Sequence, residues 1–146
     1  MKRRHRLRGG GAFAAVRERR ASASAGPLRV QLAPNRREVA RVGFVVPRAV
    51  GGAVVRNRVR RRLRALMEPR LEAQSGLDVV IAAGAGAASE PWPSLGSALD
   101  ACLAGARARL RRRHGAAPEG PLRDNRGVDR TPAEKVRPGG WCPASP

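Results

Sequence analysis

Ala53-Val54-Val55-Arg56-Asn57-Arg58-Val59-Arg60-Arg61-Arg62-Leu63-Arg64 is the stretch on which the fold turns. Val55, Val59, Leu63 and Leu66 follow one another at spacings of four, four and three, so they form one stripe along a helix. Six arginines in the nine positions 56–64 cover the rest of its circumference. Anchored by the stripe, such a helix holds its arginines at fixed geometry, and arginine suits bidentate contact with phosphate. The plainer reading is a solvated charged helix. Against it, no Asp or Glu occurs between Glu38 and Glu68. Like charges this dense repel one another in the isolated protein, so a polyanion is their natural partner.

Working outward, Pro69 ends the helix near residues 67–68, with a further turn through Leu71 allowed. Upstream, residues 39–46 form a β run whose centre, Val42-Gly43-Phe44-Val45-Val46, is apolar enough for a central strand. Pro47 closes that run, and Gly51-Gly52 precedes a helix start near Ala53. Downstream, Leu77-Asp78-Val79-Val80-Ile81-Ala82-Ala83 is the clearest strand of the chain. Leu28-Arg29-Val30-Gln31-Leu32 alternates as a half-buried strand does, and residues 34–37 make a turn. A short amphipathic helix is predicted over residues 12–19, with Phe13 and Val16 on one face. Residues 21–27 are small and polar and read as a loop, as do residues 84–93. Ser94 is the expected N-cap of a last helix, striped by Leu95, Leu99, Leu103 and Leu110 beside Cys102 and Ala106. Its end carries Arg107, Arg109, Arg111, Arg112 and Arg113, which suit the negative pole of the helix dipole.

The 146 residues carry a net charge of +19. Residues 115–146 hold five basic and four acidic side chains, so +18 falls in residues 1–114. That tail also holds six of the 12 prolines and no periodicity, which predicts disorder. The expected organisation is one α+β domain over residues 1–114 and a disordered tail over 115–146. Its local element order is α-β-β-α-β-α, with room for one more strand. So basic a domain points to nucleic acid ahead of an anionic membrane surface. Of the 30 basic residues 28 are Arg, which coding bias explains as readily as function. Residues 1–8 are basic like the start of a signal peptide, but Gly9-Gly10-Gly11 follows instead of an apolar run. With no apolar stretch near the roughly 20 residues of a membrane span, a soluble cytoplasmic protein is expected.

A protein nuclease needs clustered carboxylates for metals or a histidine acid–base pair. The domain has seven acids, and of these Glu68 and Glu72 lie one helical turn apart, as a surface pair at a helix end does. His5 and His114 sit in basic segments expected to be mobile, and neither has a candidate partner. Cys102 and Cys142 are far apart and lack metal-ligand spacing, so they read as incidental thiols. No catalytic residue and no metal ligand is assigned to this chain.

The run from Arg41 to Arg61, Arg-Val-Gly-Phe-Val-Val-Pro-Arg-Ala-Val-Gly-Gly-Ala-Val-Val-Arg-Asn-Arg-Val-Arg-Arg, resembles the signature of the protein component of bacterial ribonuclease P. In that family a glycine-containing strand and a basic residue precede a helix that opens with Ala-Val-x-Arg-Asn-Arg. Arg6-Leu7 with Phe13, residues 78–82 and the helix carrying Leu95 to Leu110 extend the likeness over about residues 5–112. The resemblance implies an α-β sandwich of order α-β-β-β-α-β-α with a left-handed crossover, like the second domain of ribosomal protein S5. It implies a subunit of an endonuclease, a hydrolase that removes 5′ leaders in tRNA processing, with catalysis carried by the RNA subunit. Magnesium would be held by that RNA and its substrate. The partners implied are the ribonuclease P RNA and precursor tRNA, with no membrane and no protein partner required. Arg48, Arg56, Asn57, Arg58, Arg60, Arg61, Arg62 and Arg64 would face the RNA. The leader would enter a cleft between the first helix and the sheet, near Phe13, Arg17, Arg29 and Gln31.

The chain departs from the family at that cleft. Further aromatics usual one helical turn after the Phe and on the first strand are replaced by Arg17 and Gln31, and there is no Tyr. Weaker stacking and more phosphate contact through Arg17 and Arg29 are therefore expected. Phe13 reads equally as cleft wall or as core, and Gly43, Gly51 and Gly52 as backbone geometry. The alternative is a non-catalytic structural or chaperone RNA-binding protein, which would share the charge but give no gain in precursor tRNA processing. A DNA-binding architectural protein would instead prefer duplex DNA.

Overall fold

The computed structural model describes residues 1–19 and 21–115. The predicted tail lies outside them, apart from Gly115, which the last helix includes. Four strands, β1 (Ala21–Ala25), β2 (Leu28–Pro34), β3 (Arg41–Val45) and β4 (Leu77–Ala83), make one sheet in the order β1-β2-β4-β3. β1 pairs with β2 and β2 with β4 antiparallel, while β3 and β4 run parallel. Three helices pack on it: α1 (Gly10–Glu18), α2 (Ala53–Met67) and α3 (Trp92–Gly115). α2 connects the two parallel strands, which completes the α-β-β-β-α-β-α order.

Of residues 21–27, only Gly26-Pro27 is a turn, and residues 21–25 are the strand β1. Ala21, Ala23 and Ala25 stand opposite Leu32, Val30 and Leu28 on the face that α3 covers, and the serines point the other way. The alternation is that of a strand, written in side chains too small to give a strong hydropathy signal. Small size is what the packing requires: a Cβ on Gly105 of α3 would stand 2.9 Å from the Cβ of Ala23. Gly26, at φ 52°, turns the hairpin into β2. The last helix begins at Trp92 rather than after Ser94, and the Leu95 amide already donates to the Pro91 carbonyl at 2.9 Å. Pro93 is tolerated there because the first turn has no carbonyl for its missing N–H to meet.

The two faces of the sheet bury unequal cores. On one, Val59, Leu63, Leu66 and Met67 of α2 and Leu95, Leu99, Cys102, Leu103 and Ala106 of α3 meet Leu28, Val30, Leu32, Val42, Val79 and Ile81. Each fully buried leucine there contributes about 1.5–3 kcal/mol relative to its exposed state. Cys102 belongs to this core, donating to the Leu28 carbonyl at 3.5 Å, and burial pushes its thiol up in pKa. On the other face, Val16 with Ala12 and Phe13 of α1 packs on Leu7, Ala33 and Val80.

Polar contacts tie the layers together. Arg70, after α2, forms an ion pair with Asp100 of α3, and its guanidinium holds the Asp100 carboxyl below the usual range. Arg109 and Arg113 do more than balance a dipole, since they donate to the carbonyls of Ser22 and Arg19. His5 has a partner: its Nδ1 lies 2.9 Å from the Ala40 carbonyl. The segment around it is pinned alongside β3, with the Leu7 amide donating to Val42 O at 3.0 Å.

Candidate nucleic-acid interface

α2 emerges from Gly52 with no side-chain cap and no acidic residue in its first turn. Its leading N–H groups are open toward solvent, an arrangement that favours anions. Arg48, on the turn Arg48–Val50 just ahead, is exposed beside this end. Gly51 between them takes φ 141°, and a Cβ there would meet Val55 at 3.1 Å, so glycine sets how the turn enters the helix.

At 3.6 residues per turn the arginines fall into rows. Arg56, Arg60 and Arg64 line one flank of the buried stripe, half-buried. Asn57 and Arg61 form the exposed crest, with Val54 75% exposed beside it. Arg58 and Arg62 lie on the flank toward the start of α3. Among the described residues, none of Arg48, Arg56, Arg58, Arg60, Arg61 and Arg64 gives its guanidinium to a protein hydrogen bond or ion pair. Arg62 differs. It donates to the carbonyls of Ala87 and Ala88, both at 3.4 Å, and of Glu90 at 2.5 Å. Its guanidinium is spent on holding the segment before α3, so the structure turns it inward from the surface where the sequence places it.

The second candidate region lies across the sheet. Strand register sets Ser22, Gln31, Val80 and Gly43 in one row and Ser24, Arg29, Ala82 and Val45 in the next, on the α1 face. α1 covers Val80 and Gly43 of the first row and leaves Gln31 half-buried: Phe13 sits so close over Gly43 that a Cβ there would be 2.5 Å from its ring. It leaves the second row open, with Val45 38% exposed and Arg29 exposed. Arg17, one turn after Phe13 on α1, is exposed as well. The result is a trough about 10 Å from Arg29 to Val45, two strand spacings, walled by α1. Phe13 is thus both packed and half-exposed, and Gly43 is required for its seat. Gly43→Ala is expected to lift the ring and lower stability by about 1–3 kcal/mol in urea unfolding. A neutral result would mean that α1 does not rest on β3.

Trp92 is the feature that sequence reasoning missed. It is 47% exposed, and the Arg62 guanidinium carbon lies 5.9 Å from its ring centre. The two residues are thirty apart in sequence, and periodicity within one helix carries no signal for a contact between two.

Three of the domain's seven acids are engaged elsewhere. Asp78 pairs with Arg41, Asp100 with Arg70, and Glu68 with the N-terminal ammonium at 2.5 Å. Among the described residues no three of His, Cys, Asp and Glu gather as a metal site, and no helix is long and apolar enough to cross a membrane.

Three comparisons bear on this arrangement. The family model described as Ribonuclease P matches residues 1–113. The ribonuclease P protein component of Roseiflexus sp. (strain RS-1) is 43% identical over 93 residues, covering 62% of this chain and 75% of the relative. That of Salinispora tropica is 52% identical over 75 residues, covering 51% and 55%. Among solved structures, a mutant RNase P protein from Staphylococcus aureus superposes with a TM-score of 0.66 at 20% identity, covering 71% of this chain and 89% of that one. The RNase P protein from Thermotoga maritima gives 0.58 at 22% identity, covering 66% and 92%. At those identities the structures speak for the fold alone.

Proposed function

The chain belongs to the ribonuclease P protein family, and from that premise we propose that it holds the catalytic RNA on one face of its sheet and the 5′ leader of precursor tRNA on the other. As a member of that family it is a subunit of ribonuclease P, an enzyme of tRNA 5′ processing, and works with the ribonuclease P RNA. The observation that carries the finer reading is the set of guanidiniums on and before α2 that find no acceptor among the described residues. Phosphates are the acceptors whose charge and geometry fit them. Arg56, Arg58, Arg60, Arg61 and Arg64, with Asn57 and Arg48, bind the RNA subunit, and Arg62 supports the surface from beneath.

The trough on the α1 face suits an unpaired strand of varied sequence. It offers backbone charge at Arg17 and Arg29, one aromatic at Phe13 and an amide at Gln31, with little that would read base edges. In this reading the RNA subunit performs the cleavage, with magnesium ions held by that RNA and the substrate supplying charge stabilisation at the cleaved phosphate. The protein's own residues neutralise charge and orient the leader.

Competition between leader-bearing precursor and mature tRNA for the reconstituted complex tests the trough. Arg29→Ala and Phe13→Ala are each expected to lower the preference for the precursor, Phe13→Ala by about tenfold, while affinity for the RNA subunit is unchanged. An unchanged preference in both would put the leader elsewhere.

A further inference from the structure

We propose that Trp92, with Arg58 and Arg61, receives one unpaired nucleobase of the RNA subunit, stacked on the indole, with its flanking phosphates on the two arginines. This rests on the RNA-binding reading of α2 and adds to it a base-contacting residue from a different helix. Arg58, Arg61, Arg62, Ala65 and Trp92 line one shallow depression, and Val54, Asn57, Arg58 and Arg61 line the next. The two share Arg58 and Arg61, so a ring on Trp92 would have guanidiniums at its border.

The indole is held ready. Arg62, fixed by three carbonyls, packs against it, which places a cation over the ring without leaving that cation free for phosphate. The depression is thereby divided between a stacking surface and two cations that have no partner among the described residues, the pairing that single-stranded nucleic acid uses. A base already paired in a duplex has its faces covered, so the occupant is an unstacked one. The chain holds only four aromatic residues, Phe13, Phe44, Trp92 and Trp141. Trp92 is the described one that is most exposed, and it stands beside Arg58 and Arg61 of α2. The leader is not the occupant, because its trough lies on the opposite face of the sheet.

Two readouts separate this from a ring that merely covers Ala65. The first is affinity for the cognate ribonuclease P RNA across a salt series. Trp92→Ala is expected to weaken binding about tenfold at an unchanged salt slope, because a stack releases no counterions, and Trp92→Phe to retain most of the affinity. The second leaves Trp92 intact. In a Trp141→Phe background its fluorescence is expected to be quenched by the RNA and not by heparin, a polyanion without bases. Wild-type affinity in Trp92→Ala, or equal quenching by heparin, would overturn the proposal. A wild-type chain that fails to bind the RNA would overturn the α2 reading and this one together.

Discussion

A chain carrying both Arg58→Ala and Arg61→Ala is expected to bind the ribonuclease P RNA about a hundredfold more weakly than wild type. Each removed guanidinium takes away a charge-assisted hydrogen bond to phosphate, about 1.5–3 kcal/mol, or at least tenfold. The salt dependence should also become shallower, by about 0.7–0.9 per lost contact, hence about 1.4–1.8 for the pair. Both side chains are exposed and bond to nothing among the described residues, so the thermal transition should stay where it is. Filter binding at four or five salt concentrations with the cognate RNA measures both quantities. Normal affinity with an unchanged slope would remove α2 from the interface.

Asp78→Ala is expected to lower the stability of the free protein by about 3 kcal/mol. Asp78 is only 6% exposed and is the anchor of a small network joining β3, β4 and the turn after β2. Its carboxylate accepts from Arg41 Nε at 2.8 Å, from the Arg41 guanidinium again at 2.5 Å, and from Asn35 Nδ2 at 2.9 Å. Removing it strands a partly buried cation in a domain already crowded with positive charge, and a broken buried pair costs about 3–5 kcal/mol. Partial exposure of Arg41 places the expectation at the low end of that range. Against a total of about 5–15 kcal/mol, the loss should show as a large drop in urea midpoint. The double variant Asp78→Leu, Arg41→Met should recover much of it. A midpoint unmoved by Asp78→Ala would mean that the network is peripheral to folding.

Most of the fold is written in hydropathy at one period or another. The Val55–Leu66 stripe, the unbroken apolar run of residues 77–83 and the alternation of residues 28–32 each carry a large apolar side chain at every turn or second residue. β1 escaped because its alternation is Ala against Ser, and α3, the helix that covers it and requires side chains that small, lies some 80 residues away. The N-terminal segment escaped for a similar reason: what pins His5 is a backbone carbonyl, Ala40 O, which no side-chain pattern announces. On α2, the spacing of the apolar residues placed the arginines around a buried stripe, as the structure has them. Which of them remain available depends on what surrounds each row, and Arg62 was spent on carbonyls contributed by another segment. That Trp92 shares a depression with Arg58 and Arg61 shows only once α2 and the start of α3 are set side by side.

The central claim is that this chain acts as the leader-positioning subunit of an RNA enzyme. Cleavage of a 5′-leader precursor tRNA at low magnesium tests it most directly, with the cognate ribonuclease P RNA alone, the protein alone, and both together. Cleavage at the mature 5′ end that appears only with both components is the expected result. No gain over the RNA alone would contradict it and leave a general RNA-binding protein, whereas cleavage by the protein alone would place an active site in this chain.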